Sequence, residues 1–196
     1  MPGYNSRPVV SRGRRKIAAI PPWVIIDTFT GADGTNLNGT TCDSGQTRVL
    51  VSGSYAIIDG GKAYLSNTIL AYQMGRVPVH AEWDYTDGGD GGLFEDFLFY
   101  FDGSSWDRYG IRFNGGAVQI VDYTIGYLTW TTGINTGGFH SGNAKLDISP
   151  SGITLTVNDT GLGLRVLTYV AAMKFSTNTY VGLACNGSHM DNLYVR

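Results

Sequence analysis

The sequence predicts an all-β protein in which two antiparallel sheets pack face to face as a sandwich, and three observations carry that prediction. From Ala144 to Asn158, Leu146, Ile148, Ile153, Leu155 and Val157 alternate with Lys145, Asp147, Ser149, Thr154, Thr156 and Asn158, broken only by Pro150-Ser151-Gly152. Side chains alternate across a strand, so this stretch is a hairpin with one apolar face, which is marginal until a second layer covers it. Gly and Asn/Asp also punctuate the chain about every ten residues, the spacing of tight turns between short strands. Helix formers are scarce: Glu82 and Glu95 are the only glutamates, four lysines occur, and no ten-residue segment has helical periodicity. A length of 196 residues suits one domain with a substantial core.

Strands are expected at Trp23–Phe29, Thr47–Val51, Tyr55–Asp59 and from Ala63-Tyr64-Leu65, with Asp59-Gly60-Gly61 as a turn. Further strands follow at Arg76–Tyr85, Leu93–Phe101, Asp107–Phe113 and Ala117–Tyr123. After the Ala144–Asn158 hairpin come Leu164–Tyr169, Thr179–Cys185 and Met190–Val195, about a dozen strands in all. Leu93–Phe101, interrupted only by Glu95 and Asp96, reads as a central, well-buried strand.

Charge divides the chain. No acid precedes Asp27, whereas Arg7, Arg12, Arg14, Arg15 and Lys16 carry five of the fourteen basic residues. Residues 1–26 therefore read as a basic arm and linker leading an acidic body, residues 27–196. The arm suits either a solvated tail or an anchor that orders on an acidic partner. Without interleaved aromatics or a recognition fold, it does not suggest nucleic acid as the partner. Pro21-Pro22 interrupts the apolar run Ile17–Ile20 before it could serve as a signal-peptide core, and no stretch reaches membrane-spanning length, so no membrane partner is expected. The proline pair reads as a stiff joint into the first strand. Bridging the distant Cys42 and Cys185 would stabilise the fold by about 4 to 5 kcal/mol. Cys185 lies in an apolar strand, however, and two reduced thiols are the expectation.

The segments Asp27-Thr28-Phe29-Thr30-Gly31-Ala32-Asp33-Gly34-Thr35, Leu37, Asp43-Ser44-Gly45-Gln46 and Ile58-Asp59-Gly60-Gly61-Lys62-Ala63-Tyr64 are similar to those of concanavalin A-like, laminin-G-like jelly rolls. The closing Val181-Gly182-Leu183 and Asp191-Asn192-Leu193-Tyr194-Val195 add to the resemblance, which spans about residues 27–196 and excludes the arm. Such domains recur in phage minor tail proteins and other virion proteins, so the resemblance implies a virion location. It speaks to fold more than to function. One departure stands out: where many such sequences place Trp shortly after Asp-Ser-Gly-Gln, this chain has Thr47-Arg48-Val49.

The resemblance also admits β-glucanases, which carry two glutamates and an aspartate alternating on one strand. Retaining glycoside hydrolysis needs a nucleophile and an acid close together on one face. Here Glu82 and Glu95 fall on different expected strands, Asp84 is the only acid that shares a face with Glu82, and His80, His140 and His189 lie in no nucleophile motif. The expectation is therefore a protein that is not an enzyme. Asp84, Asp87 and Asp90 form a candidate calcium group beside a Gly-rich loop, although their spacing of three departs from an EF-hand and Asp-Gly is ordinary turn chemistry.

Trp83, Tyr85, Trp106, Tyr109, Tyr123, Tyr127 and Trp130 lie at strand ends or in loops, where rings can stack on a sugar or join the core. Trp106 and Trp130, with Tyr109 and Asp107, are the candidate glycan contacts. The combined expectation is a homo-oligomeric virion protein that contacts host glycans from a tail, anchored to other virion proteins by its arm. A capsid decoration protein and a free lectin-like module are the alternatives.

Overall fold

The computed structural model describes residues 22–53, 55–86, 94–103, 108–114, 117–123, 128–129, 141–185 and 187–196. Arg7, Arg12, Arg14, Arg15 and Lys16 lie outside the described residues, as do Asp87, Asp90, Trp106, Asp107 and Trp130.

The described strands are β1 (Ile25–Asp27), β2 (Val49–Ser52), β3 (Tyr55–Asp59), β4 (Lys62–Ser66), β5 (Thr68–Gln73), β6 (His80–Thr86), β7 (Phe94–Phe101) and β8 (Tyr109–Asn114). They continue with β9 (Ala117–Asp122), β10 (Leu128–Thr129), β11 (Ser141–Ser149), β12 (Gly152–Asp159), β13 (Gly163–Val170), β14 (Tyr180–Cys185) and β15 (Ser188–Val195). They form the two antiparallel sheets expected. The first runs β13-β12-β11-β6-β15-β4-β3, with β1 also paired to β15; the second runs β10-β9-β8-β7-β14-β5-β2.

The Ala144–Asn158 hairpin is present as expected, with Leu146 opposite Leu155 and Ile148 opposite Ile153. Their buried faces meet the second sheet around Trp83, whose ring stacks on Phe97 of the opposite sheet at 4.8 Å and 18° and meets Phe113 edge-on at 6.4 Å. Burying an aromatic pair of this kind stabilises the sandwich through both transfer from water and ring contact. Cys42 and Cys185 are buried and unbridged, in line with their reading as reduced thiols.

The observed strands depart from the sequence reading where packing overrides local pattern. β5 was not anticipated because Thr68, Leu70, Ala71 and Tyr72 are all buried, leaving no two-residue alternation to read. The strand expected from Arg76 starts only at His80, and the first strand ends before Phe29, whose φ of 49° takes it out of extended geometry.

Candidate functional site

The departure at Arg48 proves architectural. Its Nε donates to Asp27 Oδ2 at 2.7 Å and its Nη2 to Asp27 Oδ1 at 2.6 Å, while Nη1 reaches Thr40 Oγ1 and the Thr41 carbonyl. Tyr72 donates its hydroxyl to Asp27 Oδ2 at 2.8 Å. Burial pulls the Arg48 guanidinium down, but its bonds to Asp27 outweigh that and raise it; burial and the Asp27 charge push the Tyr72 phenol well above its ordinary range. The segments that resemble the jelly-roll family thus interlock: Asp43 accepts from the Thr28 N–H and hydroxyl, and Asp33 accepts from Gly60 N. The group sits inside the sandwich and has a structural role.

Tyr109 corrects the sequence reading. It alternates inward with Ile111 and Phe113 on β8 and is 2% exposed. Its ring stacks on Phe99 at 5.8 Å, and its hydroxyl accepts the Lys174 N–H. It cannot meet a glycan from that position. Trp83 and Tyr85 are core residues too.

Arg108, Gly110 and Arg112 follow the opposite parity to Tyr109. Tyr123 lies against Gly110, where an added Cβ would come within 2.9 Å of the ring. The Arg108 and Arg112 guanidinium carbons stand 4.4 and 5.6 Å from the ring centre, and Arg112 Nη2 donates to the Tyr123 hydroxyl at 2.7 Å.

A second surface, fully described, covers the outer face of the first sheet. Tyr64 of β4 pairs in register with His189 of β15, which pairs with Thr86 of β6. The Tyr64 ring lies 5.1 Å from the His189 ring and 6.0 Å, edge-on, from that of Tyr55, which is 46% exposed. His189 Nε2 is 2.9 Å from Asp59 Oδ2, and Lys62 Nζ donates to Thr86 Oγ1. The next register level holds Asp191, Asp84 and Asn143 on adjacent strands. Asn143 and Asn192 donate their amides to the two Asp84 oxygens at 3.0 and 2.8 Å. Burial and the facing Asp84 charge raise the Asp191 carboxyl despite its bond from Asn192 N. Both Asp84 oxygens are thus occupied by amide donors, the contacts of a structural carboxylate. Among the described residues no group of three or more His, Cys, Asp or Glu could hold a metal.

Sequence reasoning missed Tyr55, Tyr64 and His189. Alternation with buried Ala56, Ile58, Ala63 and Leu65 places both tyrosines on the outer face and was visible in the sequence; the arrival of His189, 125 positions after Tyr64, was not. Further along this face His80 places Nδ1 2.6 Å from Asp147 Oδ1 and Nε2 2.9 Å from Glu82 Oε1, and Lys145 Nζ lies 3.2 Å from Glu82 Oε2. Burial pushes the Glu82 carboxyl up, but the bonds from His80 and Lys145 outweigh it and leave it lowered. Glu82 stands on β6 of the first sheet and Glu95 on β7 of the second.

Sandwich architecture and strand order define a concanavalin A-like jelly roll, the fold shared by lectins, carbohydrate-binding modules and glucanases. The chain is similar in structure to the carbohydrate-binding module CBM66 from Bacillus subtilis, with a TM-score of 0.53 at 16% identity over 81% of this chain and 96% of the module. A Bacillus licheniformis beta-glucanase gives a TM-score of 0.48 at 19% identity, covering 88% of this chain and 91% of the enzyme. The lectin UEA-II complexed with galactose gives 0.46 at 11% identity, covering 89% and 97%. No protein-family model and no curated protein sequence matches this chain.

Proposed function

We propose that this chain is a non-catalytic virion protein, a minor tail or tail-tip component whose jelly-roll body contacts host-surface glycans and whose basic arm fastens it to other virion proteins. The observation that carries the glycan reading is the Tyr55–Tyr64–His189 row. Rings offer a flat apolar face to the C–H side of a sugar, while the adjacent Asp59, Lys62 and Thr86 offer hydrogen-bonding groups to its hydroxyls. The non-catalytic reading is supported by the two glutamates, which stand on opposite sheets instead of flanking one bond. The virion reading rests on the family resemblance and the basic arm.

Retention of the purified full chain on immobilised cell-envelope polysaccharide tests the glycan reading. Each ring contact is worth about 0.5–1.5 kcal/mol, so Tyr55→Ala with Tyr64→Ala is expected to weaken retention by about fivefold to a hundredfold. Unchanged retention removes this surface from the binding role. Copy number per purified particle, by quantitative mass spectrometry, tests location. A small number relative to the major shell protein supports a tail position, whereas parity with that protein replaces it with shell decoration.

A further inference from the structure

β13 ends the first sheet, and among the described residues it pairs only with β12. Its outer face carries Leu164, Val166 and Val170, exposed by 63%, 60% and 81%. Such a row on an edge strand is ordinarily broken by charged side chains, proline or a bulge. β13 has no proline and no bulge, its one charge, Arg165, follows the opposite parity to the apolar row, and the strand pairs with β12 in unbroken register from Gly163 to Val170.

Backbone parity defines what this edge presents. Ala171 N donates to Ser151 O, one step beyond the Gly152–Val170 pair, so Tyr169, Leu167, Arg165 and Gly163 direct their N–H and C=O groups toward β12. Leu164, Val166, Thr168 and Val170 direct theirs to the open side. Arg165 Nη1 caps one of them, the Leu164 carbonyl, at 2.9 Å.

We propose that this edge is a self-association surface, occupied by β13 of a second copy of this chain running antiparallel about a two-fold axis at Leu167. This is the one antiparallel register that engages all four open residues of both strands. It sets Leu164 against the partner's Val170 and Val166 against the partner's Thr168, each pair exchanging two backbone hydrogen bonds. The same register places Arg165 opposite the partner's Tyr169, which avoids like charges meeting and brings a guanidinium to a ring. That self-complementarity favours a second copy over a foreign strand. Isologous closure stops at two chains. The Tyr55–Tyr64 platforms of the pair would share one face of a continuous sheet, roughly 55–60 Å apart at strand spacing, so weak single contacts could act together.

Sedimentation of the full chain at micromolar concentration is expected to give a dimer mass. Val166→Pro removes an N–H that the monomer's ladder does not use and is expected to give a folded monomer; Val166→Lys offers a second route to the same result if the proline variant misfolds. A mixture of Val166→Cys and Thr168→Cys chains is expected to form the mixed disulfide in preference to either homodimeric crosslink. A monomer in the unmodified chain overturns the proposal, as does a dimer that survives both Val166 substitutions or an absence of mixed crosslinks. A different multiple or a co-purifying strand from another protein identifies another occupant and overturns it too. None of these readouts depends on glycan binding.

Discussion

Arg48 holds Asp27 in a two-pronged pair of 2.6 and 2.7 Å inside the sandwich, with the Tyr72 hydroxyl on the same carboxylate. Removing one partner leaves a buried charge without its counterpart, which costs more than the pair contributes when intact. Arg48→Met is therefore expected to lose about 3–5 kcal/mol, and Tyr72→Phe about 1.5–3 kcal/mol for a bond to a charged group. Asp27→Asn combined with Arg48→Met should recover part of the single-variant loss. Equilibrium urea unfolding measures all three, and a near-neutral Arg48→Met would refute the structural role.

Acid stability has two opposed contributions on the surface. Hydrogen bonds from the Thr28 hydroxyl and N–H lower the Asp43 carboxyl, and the bonds from His80 and Lys145 leave Glu82 lowered despite burial. Their contributions are full above the unfolded carboxylate range of about 4 and are lost as pH falls through the lowered folded values. Asp191 is raised, so its penalty is present at neutral pH and is relieved as pH falls through its folded value. Asp43→Asn with Glu82→Gln should flatten the acid limb of stability against pH. Asp191→Asn should stabilise the protein at pH 7 by a few tenths to about 1 kcal/mol, as expected for relieving a facing like charge. An unchanged acid limb or a destabilised Asp191→Asn would contradict these assignments.

Gly53 has a φ of +84°, and a Cβ there would overlap the Asn67 carbonyl oxygen and the Thr68 backbone. Gly163 has a φ of +69° with open space around it. Gly53→Ala is expected to cost more than about 2 kcal/mol, combining conformational strain with a backbone clash, and Gly163→Ala only about 1 kcal/mol. Thermal unfolding of the two variants should rank them in that order.

Trp106 and Trp130 were the glycan contacts expected from sequence, whereas the outer face of the first sheet presents Tyr55 and Tyr64. Parallel retention assays separate the two surfaces. Loss with Tyr55→Ala and Tyr64→Ala but not with Trp106→Ala and Trp130→Ala is the outcome expected if the outer-face row carries binding. The reverse result would move the site to the loops.

Much of the fold was legible because strand signals are local. Alternation in Ala144–Asn158 dictates which side chains of β11 and β12 face inward, and Asp59-Gly60-Gly61 lies at the β3–β4 turn. β5 escaped notice because burial on both faces erases the two-residue period. Tyr109 was misread for a related reason: proximity to a turn suggests exposure, but its inward parity with Ile111 and Phe113 governs where the ring goes.

By itself the sequence determined that the chain is an all-β sandwich, approximately where most strands and turns fall, and that five basic residues and no acid precede Asp27 while acids outnumber bases after it. Tertiary structure decided which strands become neighbours, and with them every surface of functional interest. Asp27 meets Tyr72 across 45 positions, Tyr64 meets His189 across 125, and the two glutamates part onto opposite sheets. Cross-strand partners are chosen by register and by the packing of whole sheets, while the local pattern of any one strand specifies only which of its side chains turn inward.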